Sequence, residues 1–183
     1  IKISKKLQIN FFSGNEKNVF SRFCEITRLY KPKLVIRICA DNPFIDPSEI
    51  DKLIKFSEKN YKKNIYAFNH IPHKNNNYID GVGAECISSD YFLKYEKKIR
   101  KKKHLEHVTS FIWENKKNFY FKSFKAPKKY SFPSIKLDID YNEDYQKFKK
   151  ILFKSKIKPE NFINKTLIRK LVYREKYKPI NKL

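Results

Sequence analysis

The residues of this 183-residue chain best placed to do chemistry are carboxylates just past the ends of predicted strands. Asp41 follows the short, β-branched run 33–39 and sits in Arg37-Ile38-Cys39-Ala40-Asp41-Asn42-Pro43, where Pro43 stiffens the turn. Open α/β sheets bind ligands outside the carboxyl ends of their strands, so a carboxylate there faces the crevice. Asp138 and Asp140 close a second predicted strand, 134–139; at i and i+2 they project to one side of an extended backbone. Hard oxygen donors of this kind suit Mg²⁺, which takes one or two carboxylates and completes its shell with water and substrate phosphates. Strand-end aspartates also serve as ordinary turn residues, and Asp138 and Asp140 could equally cap the helix that begins near Glu143. Spacing alone does not bring the two spots together. His104 and His107 lack a convincing third ligand for a metal site of their own.

The elements that must position these groups follow a βα rhythm. Periodicity predicts a helix over 15–30 with Val19, Phe23, Ile26 and Tyr30 on one stripe, then a central parallel strand over 33–39. Asp46-Pro47-Ser48-Glu49 supplies an N-cap, a proline at the first helical position and an acid three residues after the cap. The helix it starts should carry Ile50, Leu53 and Ile54 inward. Beyond it the pattern predicts a strand over 64–68, an exposed polar loop over 70–80 and a strand over 83–87. A helix capped by Ser89-Asp90 should run toward Arg100, followed by a helix over 105–115 and a half-exposed strand over 118–124. After the strand 134–139 come helices over 143–153 and 159–173, the last with Phe162, Leu167 and Leu171 inward. With no internal repeat and no long linker, 1–183 reads as a single α/β domain, 156–183 being its helical extension.

Composition limits the function classes. Hydrophobic residues make up 40% and aromatics 16%, enough to build a core, and no apolar run is long enough to span a membrane. The formal net charge of +23 would point toward nucleic acid, yet only six of the 42 basic residues are Arg. A nucleic-acid face favours Arg for bidentate phosphate and guanine contacts, so the Lys excess fits coding bias better. The three cysteines, Cys24, Cys39 and Cys86, are odd in number and widely spaced, as expected of thiols in a reducing cytoplasm. No Met occurs at all, so the chain is taken as part of a longer protein.

Five segments in register carry a family resemblance over nearly the whole chain. Arg37-Ile38-Cys39-Ala40-Asp41-Asn42-Pro43-Phe44-Ile45-Asp46-Pro47 resembles the R-I-x-G-D-x-P-L-I-D-P segment of the spore-coat-polysaccharide-type cytidylyltransferases, within the acylneuraminate and 3-deoxy-manno-octulosonate cytidylyltransferase superfamily. The stretch from Ser13 to Phe23 is similar to the family's G-x-E-x-x-V-L-x-R-[FY], and Asp80-Gly81-Val82-Gly83-Ala84-Glu85 to its D-G-x-x-x-E. Glu106-His107-Val108-Thr109 resembles the E-H-V-T block, and Leu137-Asp138-Ile139-Asp140-Tyr141-Asn142-Glu143-Asp144-Tyr145 the closing (I/L)-D-x-x-x-D-[FY]. Ala40 stands where the family usually has Gly. Nothing in the chain matches the Gly-, Ser- and Arg/Lys-containing loop that grips the nucleotide's phosphates.

The resemblance implies a Rossmann-like nucleotide-diphospho-sugar transferase fold, a mostly parallel sheet flanked by helices with about the first two βα units lying outside this chain. It implies transfer of CMP from CTP to a sugar with release of pyrophosphate, for surface polysaccharide synthesis. The sugar would be a nonulosonic acid, an octulosonic acid or a relative. Asp41 and Asp140 would be catalytic, holding Mg²⁺ with Asp138. Arg37, Asn42, Gly81, Glu85 and His107 would contact nucleotide or sugar. A cytoplasmic homodimer is implied, with little activity in this chain alone while the phosphate loop is absent. An inactive relative that kept the fold, or a basic nucleic-acid-binding module, are the alternatives.

Overall fold

The computed structural model describes residues 2–71 and 76–155. The helix expected over 159–173 lies outside the described residues. The elements are α1 (Lys2–Lys6), α2 (Val19–Tyr30), β1 (Leu34–Arg37), α3 (Pro47–Lys59), β2 (Ile65–Phe68), β3 (Glu85–Ser88), α4 (Ser89–Tyr95), α5 (Lys102–Glu106), α6 (Ser110–Glu114), β4 (Tyr120–Ser123) and α7 (Asn142–Ser155). The four strands form one sheet in the order β1-β3-β2-β4. β2 and β3, the inner pair, are buried at every residue. β1 was expected to be central and instead lies at an edge of this sheet, half-buried throughout; an apolar run encodes strand character but not lateral position. Among the described residues no helix is long and apolar enough to cross a membrane.

Two compact units can be distinguished. The first comprises residues 1–35, 61–66 and 87–121. Its core is aromatic: Phe20 meets Tyr91 and Phe92 at ring-centroid distances of 5.4 and 5.7 Å, and Phe23 stacks on Phe92 at 5.4 Å. α2 starts later than the expected 15–30 because Asn15 takes up the Lys17 and Asn18 N–H groups in a turn, and Asn18 then caps the helix through the Ser21 N–H. Its buried stripe is Phe20, Cys24 and Thr27, one residue out of phase with the expected one, and Tyr30 is 58% exposed. The phase follows α4, whose Phe92 carbonyl accepts the Cys24 thiol at 3.4 Å. The helix expected over 105–115 is two short helices, α5 and α6, interrupted after Glu106. The interruption buries Val108, whose carbonyl accepts the Tyr91 hydroxyl at 2.8 Å, and Ser110 closes the break by donating to the His107 carbonyl.

The second unit comprises residues 36–60, 67–86 and 122–183, described as far as 155. Its core gathers Phe44, Tyr78, Ile79, Val82, Tyr130, Ile135, Leu137 and Phe148. α3 begins as expected, with Asp46 accepting the Ser48 N–H and Pro47 in the first turn. Glu49, expected only as a capping acid, is fully buried, accepting the Tyr78 hydroxyl at 2.7 Å and pairing with Lys52 at 2.6 Å. The described part of the supposed exposed loop is also inside: Asn76, Tyr78 and Ile79 are buried. Asn76 makes this possible by accepting the Tyr78 N–H and donating to Ser123 Oγ, so its own buried amide is satisfied.

The strand expected over 134–139 is not part of the sheet. It is an extended segment tied to the segments carrying Asp80 and Asp41: Asp80 N–H donates to the Ile135 carbonyl, Leu137 N–H to the Asp80 carbonyl, and Ile139 N–H to the Asp41 carbonyl, at 3.1, 3.1 and 2.8 Å.

Candidate active site

Those three backbone hydrogen bonds put Asp41, Asp80 and Asp138 in one neighbourhood within the second unit. The carboxylates act on each other: burial pushes the Asp80 carboxyl up to about 6, with the charges of Asp138 and Asp41 adding to the rise and Lys136 opposing it. Asp138 has a 15% exposed side chain and two unlike oxygens. Oδ2 pairs with Lys136 Nζ at 3.0 Å, while Oδ1 is buried without a hydrogen-bond partner. Asp140, with a 41% exposed side chain, also pairs with Lys136. The alternation of an extended chain accounts for this, placing 136, 138 and 140 on one side.

Among the described residues no three His, Cys, Asp or Glu side chains form a complete metal cage. The fit to a hard divalent cation comes from the unpartnered Asp138 Oδ1 in a net acidic neighbourhood. Mg²⁺ needs only one or two protein carboxylates when substrate phosphates supply the rest, so these residues suit it.

Gly81 makes the gathering possible. Its φ of +92° is in the region that favours glycine, and a Cβ there would come within 3.0 Å of the Leu137 carbonyl carbon and 3.1 Å of the Asp138 nitrogen. Gly81 therefore admits the 137–138 backbone, a positioning duty that the sequence had not indicated. Gly83 is tighter, with a Cβ falling 2.3 Å from the Asn69 carbonyl oxygen.

Arg37, at the end of β1, pairs with Glu85 at 2.5 Å, and the Glu85 side chain is almost fully buried. The two residues expected separately as substrate contacts are thus one ion pair. Cys39 lies in their field; burial raises its thiol pKa, and Arg37 partly offsets the rise. Asn42 donates its N–H to the Cys39 carbonyl at 3.3 Å, which shapes the turn carrying Asp41.

His107 falls in the first unit, exposed at the end of α5. The buried histidine is His104, with Nδ1 2.7 Å from Ser110 Oγ and Nε2 3.1 Å from Glu114. Sequence reasoning missed Asp80 and Lys136 as site residues. Asp80 carried a signal, the Asp-Gly pair after a polar stretch, whereas Lys136 was hidden among many lysines.

Carboxylates gathered beyond a strand end of an α/β sheet lie where proteins of this class bind their ligands. The comparisons narrow the class. Residues 2–176 match the cytidylyltransferase family, and the chain belongs to it. It is 27% identical over 150 residues to the spore coat polysaccharide biosynthesis protein SpsF of Bacillus subtilis strain 168, covering 81% of this chain and 59% of that one. It is 30% identical over 146 residues to the uncharacterized protein MJ1063 of Methanocaldococcus jannaschii, covering 80% and 57%. The chain thus spans under three fifths of the length of these curated relatives. A cytidylyltransferase structure from Leptospira borgpetersenii serovar Hardjo-bovis superposes with a TM-score of 0.78 at 21% identity, over 94% of this chain and 69% of that one, and shares the fold.

Proposed function

We propose that this protein transfers CMP from CTP to a sugar, releasing pyrophosphate, in the synthesis of a surface polysaccharide. The family match and the name of the Bacillus relative support the reading. The observation that carries it is the unpartnered, buried Asp138 Oδ1 beside Asp41 and Asp80. The reaction is an in-line displacement at the α-phosphorus by a sugar hydroxyl, which needs charge neutralisation and positioning more than covalent help. Asp41, Asp138 and Asp140 would hold Mg²⁺, and Asp80 adds a fourth carboxylate to the group. The ion, when bound, would neutralise phosphate charge and lower the pKa of the attacking hydroxyl.

The chain's own residues have separate tasks in this scheme. Gly81 and the Asn42 turn set the carboxylates in place. Glu85 holds the Arg37 guanidinium at the strand end, where it can face an anionic group of sugar or nucleotide. The sugar would be a nonulosonic or octulosonic acid or a related acid, and the protein a cytoplasmic homodimer. The test is pyrophosphate release from CTP by the protein, offered a panel of sugar acids. Asp41→Asn and Asp138→Asn should each lower kcat by at least about 100-fold, the scale of losing a group that positions transition-state charge. Full turnover in both variants would overturn the assignment.

A further inference from the structure

Lys136 has a role that the reading above leaves open. Its ammonium sits between two carboxylates, 3.0 Å from Asp138 Oδ2 and also paired with Asp140. Its side chain is 56% exposed, so the ammonium can swing into solvent without disturbing any packed group. The backbone beneath it is fixed by the ladder to Asp80, so the tether stays where it is when the ammonium leaves. Without that charge, Asp41, Asp80 and Asp138 would crowd together with no internal cation among the interactions described for them, and Asp140 would lose its ion pair. The opposite oxygen of Asp138, Oδ1, stays unpartnered, so the lysine occupies one side of the carboxylate and leaves the other available.

We infer that Lys136 is a tethered cation that stands in for a divalent ion, holding Asp138 and Asp140 in place and competing with the metal for them. With a divalent ion bound, Asp138 and Asp140 would hold it and the freed Lys136 ammonium would be available to an anionic group. This inference rests on the carboxylates being a divalent-cation site.

The experiment titrates this chain with Mn²⁺ alone, following free Mn²⁺ by electron paramagnetic resonance, for the native protein and for Lys136→Met, Lys136→Arg and Asp138→Asn. Met and Arg both keep an aliphatic stem, so fold is preserved in each, but only Arg keeps the competing charge. Removing two partly exposed ion pairs should tighten Mn²⁺ binding about three- to tenfold in Lys136→Met, while Lys136→Arg stays within about twofold of native. Asp138→Asn should lose the site. If Lys136→Met binds no tighter than native while Asp138→Asn abolishes binding, the tethered-cation role is wrong and the metal site stands. If Asp138→Asn and Lys136→Met both bind Mn²⁺ as native does, the metal site falls and this inference falls with it.

Discussion

Asp80 shows how a single residue reports on its surroundings. Burial, then the charge of Asp138, raises its carboxyl to about 6 in the folded protein, against an ordinary unfolded value of about 3.9. The native state therefore holds this proton more tightly than the unfolded state does. Stability from this group is fully present below about pH 4 and is lost as pH rises through about 6. Asp80→Asn should remove that loss: in chelator, the variant should be more stable than native by about 1–2 kcal/mol at pH 7.5 and nearly equal by about pH 3.5, read from urea midpoints. A difference that does not change with pH would refute the charge crowding. Neither the raised carboxyl nor its cause was legible in the sequence. Asp41 and Asp138 could be picked out because each ends an apolar run, but Asp80 becomes an acidic neighbour only through hydrogen bonds to a segment more than fifty residues away. The Arg37–Glu85 pair is similar: both were expected to touch substrate, yet their contact is a product of the sheet.

Local chemistry predicts elements best where it acts alone. The start of α3 was legible because Asp46 and Pro47 carry their own capping instruction. β2, β3 and β4 fell close to their expected places because short β-branched and aromatic runs have few other uses. The misplaced features are those decided by a distant partner. The face of α2 turns toward Phe92, the break between α5 and α6 serves Val108 and Tyr91, and the 134–139 segment is captured by Asp80 and Asp41. Asp46 belongs to both classes, because besides capping α3 it accepts the hydroxyl of Tyr130 and pairs with Lys129 at 3.3 Å. Burial alone would raise its carboxyl, but the hydrogen bonds from Tyr130 and Ser48, aided by Lys129, prevail and hold it at about 2. That stabilisation is present above about pH 4 and is lost as pH falls toward 2. Asp46→Ala should cost about 2–3 kcal/mol at neutral pH, combining a lost cap with an unsatisfied buried tyrosine hydroxyl, and should lose part of the acid-induced destabilisation. Asp46→Asn, which can still cap, should cost less. Equal losses in the two variants, measured by urea unfolding, would count against the cap.

For the whole molecule the open matter is its charge. A net +23 on 183 residues is large enough to attract any polyanion, and the proposed use of CTP would gain from attracting anions in general. Several of the described lysines are engaged in ways that do not build a reading surface. Lys33 lies over the Tyr61 ring at 4.1 Å, Lys62 over Tyr120 at 4.0 Å and Lys129 over Tyr130 at 4.3 Å, each shielding an aromatic face while its ammonium stays wet. Others are held by carboxylates, as Lys52 is by Glu49 and Lys103 by Glu114. A surface built this way gives long-range attraction without base-edge recognition, which depends on planar, bidentate groups. Fluorescence anisotropy should therefore find weak binding of similar strength to duplex DNA, single strands and inorganic polyphosphate when compared per charge. All three should fall together with salt and vanish by about 0.3 M, as counterion release requires. A preference of tenfold or more for one nucleic acid at 0.15 M salt would make that nucleic acid a specific partner, and the charge would then need a functional account that coding bias does not supply.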